Sequence, residues 1–281
     1  MERSQKLIAE ARVRIPRVPL RRTRSADPRV IVSLTSYPQR IGTATQAVRA
    51  LLLQSYRASR VVLVLSRPEF ADTQLPRSLE RLKKWGLEIL WVDDNPRSYK
   101  KLLPVLAQEP EAIIVTADDD VLYPHWWLKR LMQAHRERPT HILAYRANEV
   151  ILTSEGLPRP YLEWRHPCLA TRSELVFPTG MGGVLYPPHS LHPIALNARL
   201  ALDLCPTADD VWFRVMALAA GSPVGVVSDH FYEFPTVCGT QRAALRDVNV
   251  GENQNDVQFS RCLVHFELLG ALSHDRQAAQ T

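Results

Sequence analysis

The chain has 281 residues, of which 46% are apolar, 23% charged and 7% aromatic. That composition supplies a substantial core and excludes wholesale disorder, and its longest apolar runs, about five residues, are too short to span a bilayer. The net charge of +6 is unevenly placed: residues 1–28 hold eight basic side chains (Arg3, Lys6, Arg12, Arg14, Arg17, Arg21, Arg22, Arg24) against Glu2, Glu10 and Asp27, a net +5 that leaves +1 for the other 253 residues. Arginines interrupt the apolar residues of this tail at almost every step, so it has no continuous core of a secretory signal. It reads either as a solvated basic tail or as a segment that lies on an anionic membrane surface, with Leu7, Ile8 and Ala11 on one helical face.

From Arg29 the sequence alternates strand-like and helix-like segments. Val30 to Leu34 reads as a buried strand ending at Thr35-Ser36-Tyr37-Pro38, and Thr43 to Gln54 as a helix with Ala47, Val48, Leu51 and Leu52 at helical spacing. Arg60 to Ser66 is a β-branched second strand. A short helix over Pro76 to Trp85 precedes a third strand, Leu87 to Val92, which stops at Asp93-Asp94-Asn95-Pro96. Ser98 to Gln108 reads as helical, Ala112 to Val115 as a fourth strand, Pro124 to Arg136 as a helix and His141 to Tyr145 as another strand. Continuous apolar strands separated by helices predict an α/β fold, with a mostly parallel sheet covered on both faces.

The second half is less regular, punctuated by Pro and Gly between Gly156 and Pro193. Asp209 to Ala220 is a clear helix with two acids in its first turn, where the macrodipole favours them. Val224 to Val227 is strand-like and Gln258 to Leu272 reads as a last helix. The four cysteines, Cys168, Cys205, Cys238 and Cys262, include no C-x-x-C pair, which excludes a zinc framework and leaves buried free thiols as the expectation.

Chemistry concentrates at the strand ends. Asp118-Asp119-Asp120 directly follows a buried strand, at the edge of a parallel sheet where ligand sites form. Three adjacent acids repel one another, and a cation among them relieves that repulsion. The pair Asp93-Asp94 ends the preceding strand on the same edge, and reads equally as a turn before Pro96. Gly180-Met181-Gly182-Gly183 is neither a phosphate loop nor a dinucleotide fingerprint. It reads as a close approach of backbone to a ligand or strand, or as a plain turn.

Four segments in order carry a resemblance: Thr35-Ser36-Tyr37-Pro38-Gln39-Arg40-Ile41, Thr116-Ala117-Asp118-Asp119-Asp120, Gly180 to Pro187, and Ala208-Asp209-Asp210-Val211-Trp212-Phe213. Together they resemble nucleotide-sugar-dependent glycosyltransferases of the GT-A type, over about residues 29–269, and are similar to bacterial enzymes of cell-surface polysaccharide assembly. In that likeness Asp118-Asp119-Asp120 is the D-x-D element, and Asp209-Asp210 stands where many relatives have Glu-Asp. The resemblance implies a GT-A-like domain over residues 29–272, with a nucleotide-sugar-binding half (29–150) and an irregular acceptor-side half (151–272). A basic tail (1–28) and a polar tail (273–281) flank it.

The implied activity is transfer of a sugar from a nucleotide-sugar donor to a hydroxyl of a glycan or lipid-linked saccharide, inverting and metal-dependent. Asp120 and Asp118 would bind the cation with His230, a mixed oxygen and imidazole set that suits Mn²⁺ better than Mg²⁺, with His265 a weaker candidate. Asp210 would act as general base and Asp209 would hold the acceptor or cap the helix. Thr35, Tyr37, Arg40, Asp93, Lys101, Asp118, Asp119 and Gly182 are the expected donor contacts. The implied location is the cytoplasm, with peripheral contact at the inner face of the membrane through residues 1–28. A sugar nucleotidyltransferase would need a glycine-rich loop where Thr35-Ser36-Tyr37-Pro38 stands. A dehalogenase-type phosphatase would need its aspartate motif after the first strand, and a polyanion-binding protein a basic folded surface rather than a body at +1. No nucleic-acid partner is expected.

Overall fold

The computed structural model describes residues 29–168, 173–228, 232–237 and 253–273. Its first half is a run of strand–helix units: β1 (Val30–Thr35), α1 (Ile41–Leu52), β2 (Arg60–Ser66), α2 (Arg77–Leu82), β3 (Leu87–Val92), α3 (Leu103–Gln108), β4 (Ile113–Ala117) and α4 (Trp127–Glu137). After β5 (Ile142–Ala144) come the short strands β6 (Ala147–Glu149), β7 (Val176–Pro178) and β8 (Val184–Tyr186), then α5 (Ala198–Leu204), α6 (Asp209–Ala219), β9 (Val224–Val226) and α7 (Gln254–His265).

Seven strands form one sheet in the order β3-β2-β1-β4-β8-β5-β9, and β6 pairs with β7 in a separate antiparallel ribbon. Within the large sheet β8 alone runs against the other six. Because side chains alternate across a strand, β1 sends Ile31 to one face and Val30, Val32 and Leu34 to the other. Ile31 joins the core under α6 and α7, built on Trp212, Phe213, Phe259 and Leu263. The other three join the core under α1 and α4, built on Val48, Leu51, Trp127 and Leu131. Both faces are therefore dry, which explains why β1, β2 and β4 read as unbroken apolar runs.

Two helices shift in detail. Ser98 to Gln108 is a 3₁₀ turn over Arg97–Lys101 followed by α3, broken where Leu102 leaves helical geometry ahead of Pro104. The last helix begins four residues early, at Gln254, and stops at His265, since Glu267 takes a positive φ of 57°. Cys168, Cys205 and Cys262 are free thiols, the last two buried; Cys238 lies outside the described residues. No helix among the described residues is long and apolar enough to cross a membrane.

Candidate active site

The carboxyl ends of β1 and β4 lie side by side, because Leu34 and Ala117 are partners in the parallel ladder. Each strand therefore delivers its next residues to one edge of the sheet. From β1 come Ser36 and Arg40; from β4 comes Asp118-Asp119-Asp120. The Ser36 hydroxyl donates to Asp119 Oδ2 at 2.5 Å, and Arg40 donates Nη1 to Asp119 Oδ1 at 3.2 Å and Nη2 to Asp120 Oδ2. The guanidinium also sits 5.8 Å from the centre of the Tyr37 ring. Burial opposes the Arg40 charge, but Asp119 and Asp120 outweigh it and hold its pKa above the ordinary arginine value.

A strand-like segment closes the far side of this turn. The Val237 amide donates to the Asp120 carbonyl and the Leu122 amide to the Pro235 carbonyl, both at 2.7 Å. The Tyr123 hydroxyl accepts the Asp118 amide at 2.9 Å. Backbone hydrogen bonds thus pin the three acids on a turn that also buries Val121, Leu122 and Tyr123. Asp119 and Asp120 are themselves buried, and Asp118 is partly so.

The start of α6 meets this edge from the second half of the chain. Three neighbours hold it there: the Gln258 carboxamide oxygen of α7 accepts the Thr207 and Ala208 amides at 3.0 and 3.2 Å, the Tyr99 hydroxyl donates to the Cys205 carbonyl at 2.5 Å, and Arg97 Nη1 donates to the Pro206 carbonyl at 3.1 Å. Asp209 and Asp210 occupy the first turn of the helix. Asp209 does not cap it, since Ala208 is the capping residue; its carboxylate pairs with Lys101 Nζ at 2.8 Å. Asp210 Oδ2 accepts the Gly180 amide at 2.8 Å.

Lys101 is buried in this acid cluster rather than solvated. Burial works against its charge, yet Asp209, Asp210 and Asp118 outweigh that and raise its pKa above the usual lysine value. The acids shift upward as well. Burial pushes the Asp118 carboxyl up to about 7, against the pull of Lys101 and with Asp120, Asp210 and Asp119 adding to the rise. Burial raises Asp119 to about 6, although Ser36 and Arg40 favour its charged form. Asp210 rises to about 6 through burial and the Asp209 charge, opposed by Lys101, the Gly180 amide and Arg146.

Among the described residues the cluster holds more carboxylates than basic groups. Asp118, Asp119, Asp120, Asp209 and Asp210 face Arg40, Lys101 and Arg146 in a partly dry site. An oxygen-ligated divalent cation matches such a cluster in both charge and donor type. No three carboxylate, thiol or imidazole groups among the described residues already converge as a metal site, and His230 lies outside those residues. His265 is exposed at the end of α7 with its ring edge-on to Phe266.

Arg40, Lys101, Asp118, Asp119, Asp120, Asp209 and Asp210 thus come together, with the Tyr37 ring beside Arg40, while Thr35, Asp93 and Gly182 stand apart. Thr35 spends its hydroxyl on the Val64 carbonyl at 2.8 Å. Asp93 leaves the end of β3 with its side chain 93% exposed and paired with Arg67. Gly182 packs under the Phe234 ring, and its carbonyl accepts Trp127 Nε1 at 2.7 Å. It is Gly180, two residues earlier, that reaches the acids. Ser36 and Arg146 also belong to the site and were not expected there; the polar residues just past β1 were the one available hint for Ser36.

No protein-family model matches the sequence, and no curated protein matches it. Among solved structures, the chain is similar to the mannosyltransferase PcManGT from Pyrobaculum calidifontis in complex with GDP-Man and Mn²⁺, at 15% identity and a TM-score of 0.50, covering 95% of this chain and 75% of that one. It is also similar to residues 1–349 of TarS from S. aureus in complex with UDP, at 16% identity and a TM-score of 0.49, covering 86% of this chain and 69% of that one. At such identities the likeness is one of fold. The GT-A-like arrangement expected from the sequence is borne out.

Proposed function

We propose that this chain transfers a sugar from a nucleotide-sugar donor to an acceptor hydroxyl, with inversion, using Asp210 as general base and a divalent cation held by Asp118 and Asp120. The observation that carries this reading is the convergence of five carboxylates, Asp118, Asp119, Asp120, Asp209 and Asp210, where β1, β4 and the start of α6 meet. A site of that charge suits a cation together with the diphosphate it binds. The mannosyltransferase of similar fold, in complex with GDP-Man and Mn²⁺, supports the same reading.

When bound, the cation would offset the negative charge that grows on the departing nucleoside diphosphate. The chain's own residues do the rest. Asp210, held on the Gly180 amide, takes the proton from the acceptor hydroxyl as the new glycosidic bond forms, and its upward shift towards 6 strengthens it as a base. Arg40 orients Asp119 and Asp120, and Tyr37 beside it offers a ring for the base of the nucleotide. In this reading residues 29–150 hold the donor and residues 151–272 supply the base and the acceptor side. His230 would join the cation's ligands, with Mn²⁺ preferred, and the acceptor would be a glycan or lipid-linked saccharide of the cell envelope. Residues 1–28 would keep the enzyme at the inner face of the membrane.

A screen for donor hydrolysis over UDP- and GDP-sugars tests this. At least one donor should be cleaved in the presence of Mn²⁺; EDTA should stop the reaction and added Mn²⁺ restore it. Cleavage that persists in EDTA would remove the role given to Asp118 and Asp120.

A further inference from the structure

Lys101 stands in an unusual position for a side chain expected to meet a phosphate. Its ammonium is 2.8 Å from Asp209 Oδ2, both side chains are about one-tenth exposed, and Asp210 and Asp118 are the next charges around it. The turn that carries it grips the entry to α6 at three successive points: Arg97 on the Pro206 carbonyl, Tyr99 on the Cys205 carbonyl and Lys101 on the Asp209 carboxylate. From the opposite side Gly180 closes in. Its amide donates to Asp210 Oδ2, and a Cβ built on it would lie 2.8 Å from Asp210 Oδ1 and 3.0 Å from Lys101 Nζ. A side chain here would push the Asp210 carboxylate from its place and crowd the Lys101 ammonium, so glycine is what lets the two lie together as they do. Gly180 has no positive φ, unlike Gly182 and Gly183, so its requirement is for space and not for backbone conformation.

We infer that Lys101 is a positioning residue for the acid pair Asp209-Asp210, locking the start of α6 against the Gly180 amide, and that it does not bind the donor phosphates. Its ammonium is spent on Asp209, whose carboxylate is thereby fixed on one side of the helix turn. Asp210 is then left facing Gly180, with a single amide donor defining its rotamer. The three-residue contact makes the geometry of the base depend on a turn that follows β3, a part of the chain remote in sequence. The activity arm of this inference rests on the glycosyl-transfer reading above.

Four variants test it: Lys101→Met, Asp209→Asn, the double variant, and Gly180→Ala. Hydrolysis of UDP-GlcNAc and GDP-mannose with Mn²⁺ supplies kcat and donor KM, and thermal unfolding reports on folding. Lys101→Met and Gly180→Ala should each lower kcat at least tenfold while donor KM stays within about threefold. The Lys101→Met/Asp209→Asn double variant should be no slower than the worse single variant, because both changes act through one contact. A raised donor KM with kcat preserved in Lys101→Met, effects that multiply in the double variant, or wild-type kcat in Gly180→Ala would each overturn the inference. Should the wild-type chain turn over neither donor, the functional reading falls and a crystal structure of Lys101→Met decides the positioning. Loss of the Asp210–Gly180 hydrogen bond supports it, and an unmoved Asp210 rejects it.

Discussion

Asp118, Asp119 and Asp210 hold protons more tightly than free carboxylic acids because each is desolvated among other carboxylates. The linkage has a definite sign. A group whose pKa is raised on folding contributes stability that is fully present below its unfolded pKa, near 4, and is lost as pH rises through the folded value. For Asp118 that window closes at about 7. In EDTA and without nucleotide, the margin by which Asp118→Asn melts above the wild type should therefore be small at pH 4 and large at pH 8. Thermal unfolding across that range checks this, at about 2–4 °C per kcal/mol for a chain of this size. A gap that narrows with rising pH would contradict it. The role of Asp210 is read differently. Asp210→Asn keeps the side chain's shape and an oxygen for the Gly180 amide but loses the proton acceptor. Transfer should fall on the order of 100-fold or more while UDP or GDP binding by calorimetry stays nearly intact. Retained turnover would remove Asp210 as the base.

Two short elements decide where these residues meet. The turn at residues 180–183 sends β8 back between β4 and β5, and Gly183 makes that passage possible. Its φ is +95°, and a Cβ there would fall 2.5 Å from the Trp127 ring and 3.0 Å from the Thr116 carbonyl. Gly183→Ala should destabilise the fold by about 2–4 kcal/mol through combined backbone strain and overpacking. Urea unfolding is the check, and a change within 0.5 kcal/mol would show that the turn yields without cost. Helix α6 is the other element. It has no side-chain cap, so the amides just ahead of it are satisfied by Gln258 from α7. That leaves Asp209 and Asp210 available for the site while their charges still complement the helix dipole.

Over the whole molecule, charge divides into a basic tail and a nearly neutral body. On the proposal that the tail concentrates the chain at an anionic leaflet, deleting residues 1–28 should abolish pelleting with anionic vesicles and leave donor hydrolysis unchanged. Pelleting that survives the deletion would place the membrane contact on the body. The fold itself was largely legible. Strands β1, β2 and β4 are covered on both faces, so their burial shows as continuous apolar runs, and three acids after such a run mark a sheet edge from sequence alone. The two acids opening α6 were legible as well, since helix starts favour them. Strands β6, β7 and β8 were not, because Arg146, Glu149, Pro178, Gly183 and Pro187 in and beside them break the apolar pattern, whereas the equally short β5 and β9 sit in the longer apolar stretches His141 to Tyr145 and Val224 to Val227. Which acids meet which cations was hidden too. Arg40 and Asp120 are 80 positions apart, and only the parallel register of β1 with β4 makes them neighbours. Lys101 looks like any lysine on a short helix until α6 is folded over it. The sequence by itself determined the sheet and the acids along one of its edges, since burial and helix polarity act locally along the chain. Tertiary structure alone decided their partners, since an ion pair depends on distance in space, and the residues that make these pairs lie far apart in sequence.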